Sequence, residues 1–270
     1  MTDIVRVLIV DDSAYVRKVM RQMLSRSPFL DVVGAARDGR EALELADELK
    51  PDVITCDLVM PELDGVGFIR EQMTRRPVPI VVVSVASESG EAVLSALDAG
   101  AVDFVQKPTA LATDRVLEIA DELVEKVKGA AGARPAAARS APAPAAVLGA
   151  SPASAARTVD MVVIGISTGG PQALKVLIPR LPADLGVPVA IVLHMPVGYT
   201  ELYARRLNEQ SALTVIEAQG GEAVTAGNVY LAPAGRHLTF RRDAAGGVTT
   251  HLDVRPLDTP YRPSVDALFH

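Results

Sequence analysis

One cysteine in 270 residues, Cys56, excludes an internal disulfide, and its place in the apolar run DVITC marks it as a buried, inert thiol rather than a reactive one. Tryptophan is absent and aromatic residues make up 4% of the chain, which leaves little material for base-stacking platforms or aromatic sugar sites. The four histidines and the single cysteine form no cluster with zinc-ligand spacing. No apolar run is long enough to cross a membrane. The early run VRVLIV is strand-sized, ends in two aspartates and is not preceded by the basic segment of a signal peptide, so a cytoplasmic globular protein is expected.

Clustered positive charge is also missing. Up to Val127 there are 14 Lys/Arg against 23 Asp/Glu, and from Lys128 onward 13 against 10, the rear arginines being scattered over several segments. A nucleic-acid partner is therefore disfavoured.

What is present is length and apolar pattern enough for two domains, with 49% hydrophobic residues. Over residues 5–127, VRVLIV, DVVGA, DVITC, IVVVS and DFVQ read as strands. They alternate with helical patterns near 14–26, 38–49, 65–76, 88–99 and 112–127. Continuously apolar strands, each followed by a helix, predict a doubly wound parallel sheet with its ligand site at the carboxyl ends of the strands. From Lys128 to Thr158, alanine, proline, glycine and serine dominate without an apolar period, which predicts a linker. From Val159 a second α/β pattern begins: MVVIGIS, a helix from about Gln172, VPVAIVLH, a helix near 200–209, then LTVIEA, NVYLAP and HLTFRRD.

In the front domain Asp11 and Asp12 end the first strand and Asp57 ends the third. Three carboxylates converging at one sheet edge repel one another unless a hard cation lies between them, and Mg²⁺ suits such oxygen donors. Ser84 and Lys107 end two further strands and add a hydroxyl and a cation, a set able to receive a phosphoryl group. Each acid taken singly is equally well a solvated loop residue or a helix cap. Taken together, with MPELDG after Asp57 and KP at Lys107, residues 5–127 resemble a response-regulator receiver domain of flavodoxin-like fold. The resemblance implies Asp57 as phospho-acceptor, Asp11, Asp12 and Asp57 at the metal, and Ser84, Phe104 and Lys107 as switch residues, Phe104 standing where a tyrosine hydroxyl is often found. It also implies a histidine kinase as phosphodonor.

In the rear domain GISTG fits G-x-S-x-G, a sharp strand-to-helix turn that presents Ser167 and frees backbone N–H groups for an oxyanion. Alone, the pentapeptide is equally a glycine-rich turn capped by serine. His194 ends the next apolar strand, which in a parallel sheet brings it to the same edge as Ser167, so that nucleophile and base can meet; taken singly, a strand-end histidine is more often one held in a structural hydrogen bond. His237 and His251 lie in later strand-like runs and read as structural. GISTGGP, HMPVGYT, VYLAPAGRHL and RPSVDALF then make residues 159–270 resemble the catalytic domain of the CheB family of chemotaxis protein-glutamate methylesterases, an α/β, Rossmann-like serine hydrolase. The resemblance implies hydrolysis of glutamate methyl esters on chemoreceptors, with glutamine deamidation in many members and no cofactor at the hydrolase. It also implies Ser167 as nucleophile, His194 as general base, Thr168 as their neighbour, and a receiver whose phosphorylation relieves its blockade of the active site.

The family completes its triad with an aspartate in a glycine- and methionine-containing segment after the RPSVDALF stretch. Here the chain ends at His270, and Asp253, Asp258 and Asp266 do not match that pattern. A hydrolase domain cut short at its C-terminus is therefore the expectation from sequence. A weakened enzyme, or a non-catalytic phosphate acceptor competing for kinase or receptor contacts, stays open beside the active methylesterase; a general lipase or esterase ranks last.

Overall fold

A computed structural model of the chain describes residues 4–85, 90–107, 113–133 and 159–270. They form two compact units, in the main one before residue 134 and one after residue 158. Most of the expected linker, 134–158, lies outside the described residues.

The first unit is a parallel sheet of β1 (Val5–Val10), β2 (Leu30–Ala36), β3 (Val53–Cys56), β4 (Ile80–Val85) and β5 (Asp103–Lys107), in the order β2-β1-β3-β4-β5. This is the flavodoxin-like winding, whose strand order reverses between β1 and β3 and opens a crevice at their carboxyl ends. The helices are α1 (Ala14–Leu24), α2 (Gly39–Leu49), α3 (Gly65–Arg75), α4 (Gly90–Ala99) and α5 (Thr113–Ala131). Three start on polar caps that satisfy the orphan amides of the first turn: Ser13 accepts from Val16, Asp38 from Arg40 and Glu41, and Asp64 from Gly67. β3 is buried at every position, as a strand covered on both faces must be.

Helix α5 runs four residues past the 127 at which its apolar pattern reads as ending. Ala120, Leu123, Val127 and Ala130 share the face that packs with Met20 and Leu24 of α1 over Val7 and Ile9. Alanine extends a helix as readily as it fills a linker, so composition does not separate the two.

Residues 159–270 hold β6 (Val162–Ile166), α6 (Gly170–Leu177), β7 (Val189–Leu193), α7 (Thr200–Asn208), β8 (Thr214–Glu217) and β9 (Asn228–Leu231). A hairpin of β10 (His237–Arg242) and β11 (Val248–Asp253) and the short α8 (Val265–Phe269) follow. The four-stranded sheet has the order β6-β7-β9-β8 and is parallel throughout. Tyr230 anchors one side of the core: it is 1% exposed, yet its hydroxyl donates to the Ala223 carbonyl at 2.7 Å and accepts from Thr225 N–H at 3.1 Å. The hairpin supplies the partner of the expected strand HLTFRRD, and Asp243 closes its turn by accepting from the amides of Ala245 and Gly247.

Candidate functional site

In the first unit the crevice between β1 and β3 brings the expected acids together. Asp11 follows β1 and Asp57 follows β3, both buried, with Asp12 exposed beside them; one carboxylate oxygen from each lies within 4.8 Å of the others. Lys107, at the end of β5, places its Nζ 2.7 Å from Asp11 Oδ2 and 2.8 Å from Asp57 Oδ2. Asp57 is held from behind as well, its Oδ1 accepting the Leu58 amide at 2.8 Å. Burial pushes the Asp11 carboxyl above the usual aspartate range, against the pull of Lys107. Burial alone would lower the Lys107 ammonium, but its hydrogen bonds to Asp11 and Asp57 carry it above the ordinary lysine value.

Hard oxygen donors this close together fit Mg²⁺, and Asp11, Asp12 and Asp57 are the residues that would hold it. Ser84 is buried in β4, one strand over, in register with Gln106 of β5. Phe104, earlier on β5, is 1% exposed, with its ring turned into the protein. Cys56 is also buried, and burial first, then the neighbouring Asp57 and Asp11, raises its thiol well above the ordinary range, which removes it as a nucleophile.

The MPELDG turn owes its glycine to space. Gly65 donates to the Leu58 carbonyl at 3.0 Å, and a Cβ on it would collide with the carbonyl oxygen of Asp57. The backbone of the acid-bearing loop and the start of α3 thus pack at a distance only glycine permits.

In the second unit the register of the parallel sheet decides the geometry. Ile166 of β6 pairs with Leu193 of β7, so the next residue on each strand, Ser167 and His194, emerges at the same height on neighbouring strands. Ser167 Oγ and His194 Nδ1 stand 3.1 Å apart. Ser167 is exposed; Thr168 follows it in the turn, and Gly169, at φ +78°, turns the chain into α6. Behind the serine, Gly165 lies so close to Val265 of α8 that a Cβ there would strike it. A hydroxyl within hydrogen-bond reach of an imidazole, on an exposed turn beside backbone amides, can attack a carbonyl.

One residue at this pair escapes a motif reading. Tyr261 stacks on the His194 ring, with centroids 4.4 Å apart and planes inclined by 19°. His237, fully buried, accepts the Ser264 amide on Nδ1 at 3.0 Å and lies with Nε2 3.0 Å from the Pro256 carbonyl, which the structural role expected of it allows. Tyr261 directly precedes RPSVDALF, so proximity to that stretch was the available signal. His251 places its Nε2 4.0 Å from Asp253 Oδ2.

Comparison with known proteins bears on both sites. Residues 7–119 match the response regulator receiver domain model and residues 162–270 the CheB methylesterase model. The chain is 52% identical over 267 residues to protein-glutamate methylesterase/protein-glutamine glutaminase 5 of Myxococcus xanthus, covering 98% of this chain and 76% of that protein. The chain belongs to the CheB methylesterase family.

A second CheB relative, the protein-glutamate methylesterase/protein-glutamine glutaminase of Symbiobacterium thermophilum, is 46% identical over 278 residues, again covering 98% of this chain and 76% of its own length. Two crystal structures from Thermotoga maritima are similar as well. The response regulator domain of its CheB is 42% identical, covers 49% of this chain and 99% of that one, and has a TM-score of 0.46. Its CheB methylesterase catalytic domain is 43% identical, covers 41% of this chain and 58% of that one, and has a TM-score of 0.39. Among the described residues no helix is long and apolar enough to cross a membrane.

Proposed function

We propose that the chain is a phosphorylation-controlled chemotaxis protein-glutamate methylesterase and glutaminase, with a receiver that runs to the end of α5 at residue 131 rather than to 127, a linker from there to 158, and 159–270 as hydrolase. The observation that carries the reading is the 3.1 Å contact between Ser167 Oγ and His194 Nδ1 at the ends of paired strands. As Ser167 attacks the ester carbonyl, its proton passes to His194; the imidazolium then returns that proton to the departing methoxide, and methanol leaves. Water, deprotonated by the same imidazole, cleaves the acyl-serine and frees a glutamate carboxylate. With a glutamine side chain the leaving group is ammonia and the product is the same. Thr168 borders the reacting carbonyl, and amides of the turn after Ser167 are the natural donors to its oxyanion.

In the receiver, Asp57 accepts the phosphoryl group from a histidine kinase. Mg²⁺ held by Asp11, Asp12 and Asp57 supplies positive charge to the phosphoryl oxygens when bound. In this reading Lys107 pairs with the new phosphate, Ser84 donates to it and Phe104 turns in response. The substrates are methylated chemoreceptors, the location is the cytoplasm, and the hydrolase itself needs no cofactor.

The test is methanol release from methylated chemoreceptor by the chain, with and without phosphodonor and Mg²⁺. Release that rises with phosphodonor and disappears in Ser167→Ala is the expected result; release that persists in Ser167→Ala removes the nucleophile assignment. No release, with Asp57 still accepting phosphate, leaves the chain a receiver without hydrolase activity.

A further inference from the structure

We infer that Tyr261 is a positioning residue for His194 and that the buried His237 fixes the segment carrying it. The inference rests on the reading of His194 as the base and extends it to what aims the ring.

Tyr261 lies flat against the imidazole at 4.4 Å while remaining 43% exposed, so the contact is not a by-product of core packing. A stacked face restricts rotation of the imidazole about its last side-chain bond and keeps Nδ1 directed at Ser167 Oγ. The same π face favours the imidazolium that forms when the serine proton arrives.

Tyr261 sits in an irregular segment, and irregular backbone needs an anchor to hold a ring in place. His237 provides it: eight residues apart, the Pro256 carbonyl and the Ser264 amide bond the two nitrogens of its one ring, each at 3.0 Å. One nitrogen must accept and the other donate, which only the neutral ring protonated on Nε2 can do. The Gly235 amide holds the Arg262 carbonyl at 3.0 Å, next to Tyr261 itself. Ser264 also caps α8, accepting from Ala267 N–H, so the segment is fastened to the helix packed behind Gly165.

The experiment uses the full chain and a fluorophosphonate, which needs no receptor. Ser167 Oγ forms the P–O bond, the P–F bond breaks, fluoride leaves and the serine proton passes to His194. Tyr261→Phe keeps the stack and is expected to label at the parent rate. Tyr261→Leu is expected to label about two- to tenfold more slowly at saturating probe, with the half-saturating concentration unchanged. By NMR, the His194 ring protons, shielded by the stacked ring in the parent and in Tyr261→Phe, move downfield in Tyr261→Leu. His237→Ala should slow labelling and move the same protons, and adding Tyr261→Leu to it should cost less than Tyr261→Leu costs alone.

Parent-rate labelling by Tyr261→Leu, equal loss in Tyr261→Phe, or slowing with the His194 protons unmoved would each overturn the positioning role. Strictly additive effects would overturn the part given to His237. Labelling of Ser167→Ala at the parent rate strikes the nucleophile reading instead, and if the parent does not label, His194 ring protons that stay unmoved in Tyr261→Leu overturn the positioning role.

Discussion

Lys126 of α5 is buried where a lysine is expensive, and its replacement by methionine is the sharpest test of the receiver's interior. Its Nζ bonds Asp103 Oδ1 at 3.1 Å and the Phe104 carbonyl at 2.7 Å, and lies 5.5 Å from the Phe104 ring centroid. Glu122, one turn earlier, is 3.2 Å away. The side chains of Lys126 and Asp103 are 7% and 3% exposed, so water cannot replace the ammonium once it is gone. Removing one member of such a pair costs about 3–5 kcal/mol, below the roughly 5–15 kcal/mol that holds a domain together. Lys126→Met should therefore fold, but with its most protected β5 and α5 amides exchanging roughly two to three and a half decades faster.

The double variant Asp103→Val/Lys126→Met should recover to within about 2 kcal/mol of the parent, the remainder reflecting the Phe104 amide and carbonyl left without these partners. Burial already holds the Asp103 carboxyl above the usual aspartate range beside the ammonium, while Asp103 and Glu122 lift Lys126 above its ordinary value against the opposing effect of burial. A carboxyl with a raised folded pKa binds its proton more tightly in the folded state. The destabilisation from its charge is therefore complete above that pKa and relieved as the pH falls through it. The Lys126→Met deficit should shrink from pH 8 to pH 5, after correction for intrinsic exchange rates. A deficit that grows on acidification, or exchange less than about fivefold faster at pH 8, would refute the argument.

Gly65→Ala forces a Cβ against the Asp57 carbonyl; a cost of about 1–3 kcal/mol and slower phosphorylation of Asp57 are expected, read by melting and by phosphate incorporation. Unchanged phosphorylation would mean that the loop yields without moving the acceptor. In Lys107→Met a positive charge leaves the carboxylate oxygens that a divalent cation needs, so Mg²⁺ should bind roughly tenfold more tightly, measured as the midpoint of Mg²⁺-dependent stabilisation. Weaker binding would point to Lys107 as an organiser of the acids rather than a competitor. Gly165→Ala drives a methyl into Val265 behind the serine and should slow fluorophosphonate labelling of Ser167, with Gly165→Ala/Val265→Ala restoring part of the rate.

Much of this was legible in the chain itself. Continuously apolar runs and their spacing determined the alternation of strands and helices, because a strand buried on both faces is written in residues such as the VITC of β3. Acids and a lysine at strand ends determined which side chains meet in the crevice proposed to accept phosphate, and a serine and a histidine ending successive apolar strands determined the pair proposed as nucleophile and base, because parallel winding carries such ends to one edge. Local pattern did not determine where α5 stops, since its last turns are held by the contacts of Val127 and Ala130 with the core. It was equally silent on the Lys126–Asp103 pair and on Tyr261. Asp103 and Lys126 lie 23 residues apart, and Tyr261 lies 67 residues beyond His194. Such pairs share no motif, and only the packing of α5 on β5, or the return of the chain across β10 to the sheet edge, brings their side chains within reach.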